Sequence, residues 1–263
     1  MKTLIAIGIA AGAAVMGTEA TPSATPAASA RSPIEGRVVF VGPLPDNGGA
    51  VKFEGEAPEA KPLVIEESKS EGCVHDGAVD PTDRSLLIGE NGGIANVVVM
   101  VEADGVEPKV PDAPVHLDQK GCRFSTHVSV VHTGTTVEFL NSDSISHNVH
   151  TYAAKNDGFN KIIAAGSKET QKLDKADRIE IKCDIHPWMN SYLIVTDAPF
   201  FAVTDAKGNF TLPALPPGTH KIEYWHETLG KNKGEITVGE DGQAEPIHLE
   251  WGASEKKSKR GRR

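Results

Sequence analysis

Short apolar runs separated by glycine, proline and polar turns recur along most of the chain. The run "ANVVVMVE" is apolar on both of its faces, which predicts a central, doubly buried strand over Ala95–Glu102. Other runs rich in β-branched and aromatic residues predict further strands over Gly36–Val41, Val115–Leu117, His127–Val131, Thr135–Asn141 and Glu169–Leu173. Because no amphipathic helix of convincing length is present, we expect an all-β protein.

The composition agrees with that expectation and narrows the classes of partner. The 263 residues include 26 glycines and 17 prolines, a balance that favours short strands and many turns. The formal net charge is −9, which argues against nucleic-acid binding. One basic segment, Glu255–Arg263, is predicted to be a solvated tail, with weak contact to an acidic surface as the alternative reading.

The first thirty residues have the pattern of an export signal. Lys2 precedes an apolar core over Leu4–Met16, which is too short to span a bilayer, and small residues follow. Cleavage is expected near Ala20 or Ala30, before a linker rich in proline, alanine, serine and threonine. No later segment is apolar enough to cross a membrane, so we expect a periplasmic or extracellular protein.

Three cysteines are an odd number for an exported chain, where thiols tend to pair. The simplest arrangement joins Cys73 to Cys122 and leaves Cys183 free. Bound metal is one way to protect a free thiol in an oxidising compartment. A second metal site that combines the pair with His75 and His127 is the alternative to the disulfide.

The short loop "CDIHPWM" contains three potential metal ligands, Cys183, His186 and Met189, between two apolar runs. Thiolate and thioether are soft ligands that favour copper over magnesium, calcium or manganese. Zinc fits less well, since thioether is a poor zinc ligand. A trigonal His₂Cys set with a weak axial Met is typical of electron-transfer copper sites. One histidine of that set must therefore come from elsewhere in the chain.

The segment "SHNVHTY" offers His147 and His150 as that histidine. Residues three apart on a strand point to opposite faces, so both are not expected to bind one ion. His147 stands where the strand begins and can face the loop of Cys183. Asn148 is expected to connect the two ligand loops by hydrogen bonds.

The segments "TVEFLNSDSISHNVHTY" and "IKCDIHPWMNSYLIV" together resemble the small blue copper proteins, the cupredoxins, and among them the amicyanins. Ser146 stands where the amicyanin pattern has a proline. The resemblance covers Ala113–Asp197 and implies a Greek-key β sandwich that holds one copper ion, cycling between Cu(I) and Cu(II). It implies four ligands: His147, Cys183, His186 and Met189.

The function expected from this site is one-electron transfer between redox proteins, whose identity the sequence does not specify, rather than catalysis. His186 is expected to lie near the surface and to be the point where electrons enter and leave. Trp188 is expected either to join it in an apolar docking patch, as part of the electron-transfer surface, or only to pack over the site. A copper carrier or storage protein is one alternative, and a non-catalytic extracellular interaction module is another. A cysteine protease is disfavoured by the packed Pro-Trp-Met sequence that follows His186.

The segment "VTDAKGNFTLPALPPGTHKIEYWH" resembles carboxypeptidase regulatory-like, or transthyretin-like, domains, which are small β sandwiches without catalysis of their own. The early strand "IEGRVVFVG" resembles the first strand of such a domain, so the copper-binding part is expected to be inserted between its strands. The expected organisation is a signal over 1–30, a β segment over 31–112, a copper domain over 113–197, a second sandwich over 198–252 and a tail over 253–263.

Overall fold

The computed structural model describes residues 34–40, 62–74, 78–89, 92–244 and 247–251. The predicted signal, the linker, the basic tail and His75 lie outside these residues. Strands dominate, and α1 is a single turn of helix; none of the described helices is long and apolar enough to cross a membrane. The elements are, in chain order, β1(Ile34–Phe40), α1(Glu67–Ser70), β2(Val98–Glu102), β3(Val115–Gln119), β4(Val128–His132), β5(Thr136–Asn141), β6(His147–Tyr152), β7(Phe159–Ile163), β8(Lys168–Lys172), β9(Asp177–Lys182), β10(Asn190–Thr196), β11(Phe200–Val203), β12(Asn209–Leu212), β13(Gly218–His226), β14(Gly230–Val238) and β15(Ile247–Trp251).

Strands β3 to β10 form two sheets that share one apolar core. The larger sheet has the order β4-β10-β9-β6-β7, and the smaller sheet has the order β3-β5-β8. The buried inward residues of β9 alternate with more exposed polar residues, as a sheet with one buried face requires. Phe139, Leu193 and Ile179 are among the fully buried side chains between the sheets. We call this pair of sheets the inner sandwich.

The remaining strands form a second pair of sheets, the outer sandwich. One sheet has the order β11-β2-β13-β14, and the other has the order β12-β1-β15. Strand β2 lies between β11 and β13 and is buried on both faces, as its continuous apolar run predicts. Because β2 and β11 are hydrogen-bonded neighbours, the inner sandwich is inserted between two adjacent strands of the outer one.

The two sandwiches pack against each other through β2 and β13 on one side and β4 and β10 on the other. Val98, Val128 and Ile194 belong to an apolar cluster at this junction. Trp225 completes it, with its ring 5.4 Å from that of Tyr192. Burial and the nearby charge of Glu227 raise the pKa of Tyr192 to about 12, so its hydroxyl stays protonated at the junction.

The strand boundaries differ from the sequence predictions by a few residues, with two larger differences. Strand β2 begins at Val98 rather than Ala95, because Asn96 adopts a left-handed conformation with φ 61°. Strand β7, Phe159–Ile163, was not predicted, since its segment reads as a polar loop. It is an edge strand with an exposed central part, so its apolar pattern is weak.

Replacing Asp177 with asparagine is expected to destabilise the inner sandwich at neutral pH. Burial pushes the pKa of Asp177 upward, but hydrogen bonds from the backbone N–H groups of Lys155, Asn156 and Arg178 outweigh it, and the pKa lies below its ordinary value. A lowered folded-state pKa gives stability that is present above the unfolded value of about 3.9 and is lost as the pH falls through the folded value. The variant should lose about 1.5–3 kcal/mol in urea unfolding at pH 7.

Urea unfolding of both proteins over a range of pH values tests this interpretation. The difference between Asp177→Asn and the unsubstituted protein should shrink as the pH is lowered below about 3.9. Asp157→Asn, at an exposed position in the loop that contains Lys155 and Asn156, is the matched control and should change little. A difference that persists unchanged in acid would contradict the role given to the carboxylate.

Candidate metal centre

The loop that connects β9 to β10 brings Cys183, His186 and Met189 to one end of the inner sandwich. Cys183 directly follows β9, and Met189 directly precedes β10. The Cys183 backbone N–H donates to the Met189 carbonyl over 3.2 Å, and the Met189 N–H donates to the His186 carbonyl over 2.9 Å. These two bonds close the loop on itself and turn the three side chains inward, where they are almost completely buried.

His147 reaches the same place from the neighbouring strand. Strand β6 pairs with β9, and His147 is its first residue, on the inward face. His150, three residues on, points to the other face and pairs with Asp184 over 3.2 Å. The opposite orientations of the two histidines agree with the alternation expected along a strand.

Three of the four predicted ligands are therefore gathered in one buried cluster, and Met189 lies in the same loop. The Nδ1 atoms of His147 and His186 are 2.9 Å apart, and the Cys183 Sγ lies 3.7 Å from the His186 Nδ1. Metal bonds to imidazole nitrogen and thiolate sulfur are about 2.0–2.3 Å long, so one ion can bind all three atoms. Met189, fully buried in the same core, supplies a thioether. The donor set fits a soft, thiophilic metal such as copper.

The pKa of His186 also suits a ligand. Burial, followed by the charge of the neighbouring His147, lowers the pKa of His186 below its ordinary value. The imidazole is therefore neutral at pH 7, and a neutral imidazole has the free lone pair that a metal requires.

Asp143 fixes the orientation of His147. Its carboxylate accepts a hydrogen bond from the His147 Nε2 over 2.7 Å, which leaves the Nδ1 of that ring free to face His186. The backbone N–H groups of Gly121 and Cys122 donate to the same carboxylate over 2.6 and 2.8 Å. Asp143 is not among the residues predicted for the site, although a carboxylate four residues before the ligand is visible in "DSISH".

Asp143→Asn is expected to weaken metal binding by about 10- to 100-fold, the usual cost of losing a carboxylate that orients a histidine ligand. The amide cannot carry the negative charge that holds the His147 Nε2–H. Competition with a chromophoric Cu(I) chelator measures the change. Asp112→Asn, an exposed site, is the control. Equal affinity in the two variants would show that Asp143 does not position the ligand.

Asn148 connects the two ligand segments, as the sequence predicts. Its Oδ1 accepts hydrogen bonds from the Asp184 backbone N–H at 2.6 Å and from the Cys183 Sγ at 3.3 Å. Its Nδ2 donates to the Asp184 carboxylate over 3.0 Å. The side chain therefore holds the sulfur in place and fixes the start of the loop.

The expectation that His186 lies near the surface is wrong, and Trp188 packs over the site instead of forming an exposed patch. His186 is 2% exposed and Trp188 is 5% exposed. A segment that includes α1, residues 62–74, covers them; we call it the cover segment. The His186 imidazole lies close to the Lys69 backbone, and the Trp188 Nε1–H donates to the Cys122 carbonyl over 3.1 Å. The ligand loop thus lies beneath another part of the chain.

A disulfide anchors the cover segment. Cys73 and Cys122 are bonded, with an S–S distance of 1.99 Å, and Cys183 is free and buried. His127, the other residue of the alternative second site, contacts Glu227 instead, in a buried pair that connects the inner and outer sandwiches. His226 beside it is fully buried, and burial followed by the charge of His127 lowers its pKa to about 4.

An all-β sandwich with a buried, sulfur-rich cluster of metal ligands at one end is the class of protein that this fold and site define. Solved structures similar to parts of it are cupredoxins and a copper enzyme. A Cu(I) form of an amicyanin variant is 18% identical over 37% of this chain and 98% of its own, with a TM-score of 0.30. A purple cupredoxin from Nitrosopumilus maritimus is 19% identical over 31% of this chain and 99% of its own, with a TM-score of 0.28.

A copper-containing nitrite reductase from Thermus scotoductus SA-01 is 24% identical over 36% of this chain, with a TM-score of 0.31. The matched region spans 25% of that enzyme's length. No protein-family model matches the chain, and no curated protein matches it.

Proposed function

We propose that this protein is an exported one-electron carrier that holds a single copper ion, and that it is not a catalyst. The observation that supports the proposal is the buried cluster of His147, Cys183 and His186, whose ligand atoms lie within 4.8 Å of one another. Bound copper would supply the one-electron chemistry by exchanging between Cu(I) and Cu(II). The soft thiolate and thioether donors suit the reduced ion, and the two imidazoles suit both states.

The residues around the cluster keep it rigid, which an electron carrier needs because ligand movement slows electron transfer. Asp143 and Asn148 each hold a ligand, or the loop beside it, by several hydrogen bonds. The ligands themselves are buried in a packed core, so water has little access to the ion.

The visible and electron paramagnetic resonance spectra of the copper-loaded, oxidised protein test this proposal. An intense thiolate-to-copper band and reversible one-electron reduction are expected. A colourless Cu(II) form without that band would overturn it. A protein that binds Cu(I), releases it to an acceptor and shows no reversible Cu(II) form would favour the alternative of a copper carrier.

A further inference from the structure

The disulfide Cys73–Cys122 lies directly against the candidate metal centre. Ligand atoms of Cys73, Cys122 and His186 lie within 4.8 Å of one another, and those of Cys122, Asp143 and His147 form a second such group. All three residues of the first group are buried. Two sulfur atoms that are joined to each other thus sit beside the two histidines of the cluster.

We propose that Cys73 and Cys122, once reduced, form a second Cu(I) site next to the first, with His186 as a shared or auxiliary ligand. Thiolates are the protein ligands that Cu(I) prefers, and a pair on one ion is a strong site. Metal–thiolate bonds are about 2.3 Å long, so two sulfurs on one ion lie at most about 4.6 Å apart. To bind one ion, the two sulfurs must move apart from their bonded distance of 1.99 Å, and a small shift of the cover segment is enough for this.

Reduction of the Cys73–Cys122 disulfide does not require electrons from copper. A dithiol reductant supplies two electrons and two protons, the S–S bond breaks, and the reductant becomes a disulfide while Cys73 and Cys122 become thiols. Cu(I) then replaces the thiol protons, which pass to solvent. The second site therefore cannot bind Cu(I) while the disulfide is intact, and it can bind Cu(I) once the disulfide is reduced. This goes beyond the proposed electron transfer and does not depend on it.

The surroundings favour Cu(I) over harder ions. Trp188 packs against His186 with ring centres 5.3 Å apart, and its indole donates to the Cys122 carbonyl. Cys73 and Cys122 belong to the apolar core of the inner sandwich together with Met189. A dry, sulfur-rich pocket suits a soft monovalent ion, whereas magnesium or calcium would need oxygen ligands.

Anaerobic Cu(I) titration of the full chain against bathocuproine disulfonate tests the proposal. The chain is prepared oxidised, or reduced with dithiothreitol and then desalted, and alkylation followed by mass spectrometry counts its thiols. The oxidised protein should retain one Cu(I) and the reduced protein two. Cys73→Ser/Cys122→Ser should retain one under both conditions.

Cys183→Ser separates this proposal from the proposed function, because it removes the thiolate of the first site only. Reduced Cys183→Ser should retain one Cu(I), bound at the second site. Oxidised Cys183→Ser should retain none, because the chelator removes Cu(I) from the weakened first site. This comparison stands even if the double serine variant does not fold. X-ray absorption of the reduced, unsubstituted protein should show more thiolate sulfur per copper, because three thiolates then serve two ions, whereas Cys183 alone serves the one ion of the oxidised protein.

Two results would overturn the proposal. One is a reduced protein that retains no more Cu(I) than the oxidised protein does. The other is a disulfide that dithiothreitol cannot open while the protein stays folded. Neither result bears on the thiolate-to-copper band of the oxidised protein, which tests the first site alone.

Discussion

Replacing Cys183 with serine is expected to abolish the thiolate-to-copper band of the oxidised, copper-loaded protein. The band requires a sulfur bound to Cu(II), and Cys183 is the free cysteine of the chain, with its sulfur 3.7 Å from the His186 Nδ1. Serine is nearly isosteric, but its hydroxyl is a harder and far weaker ligand. The absorption spectrum after copper loading measures the loss, and circular dichroism confirms that the fold is kept.

The two histidines of β6 provide a matched control for the same experiment. His147→Asn should also lose the band, since it removes a buried nitrogen donor that faces His186. His150→Asn lies three residues away on the outward face and should keep the band. An equal effect of the two histidine variants would contradict the assignment of His147 as the ligand.

Removing the disulfide with Cys73→Ala/Cys122→Ala is expected to cost about 4 kcal/mol of folding free energy. The bond closes a loop with a sequence separation of 49 residues, and in the chain-entropy description such a loop restricts the unfolded chain strongly. Urea unfolding at pH 7 measures the loss. Reduction of the unsubstituted protein should give a similar decrease.

Hydrogen exchange over the cover segment gives a second measurement on the Cys73→Ala/Cys122→Ala variant. The bond fixes one end of residues 62–74, whose Lys69 backbone contacts His186. Hydrogen exchange over this segment should accelerate when the bond is absent, whereas β9 and β10 should stay protected. Unchanged stability together with unchanged exchange would show that packing alone holds the cover in place.

The sequence predicts the all-β class because strand patterns are local. The buried run of β2 and the alternation of β9 report which faces are covered without reference to distant residues. The ligand set is predictable for a similar reason. Three of its members lie within seven residues, and the fourth begins a recognisable strand.

The cover over the ligand loop could not be predicted from those patterns. Residues 62–74 combine a short apolar run, Leu63–Ile65, with charged residues and carry no strong periodicity, so their placement depends on contacts with distant residues. The Trp188 indole reaches the Cys122 carbonyl across a sequence separation of 66 residues. The pair His127–Glu227 is 100 residues apart and is likewise set by tertiary packing. Such contacts follow from the arrangement of the sandwiches, not from local sequence.

The insertion of the inner sandwich between β2 and β11 has a mechanical consequence. A domain on one linker can swing, but this one is tethered at two points that are hydrogen-bonded neighbours. The apolar cluster around Trp225 and the ion pair of Arg178 with Glu223, 2.6 Å long, restrict rotation further. The candidate metal ligands are thus held in a fixed position relative to the outer sandwich. A partner that binds the outer sandwich would therefore always lie at the same distance from these ligands.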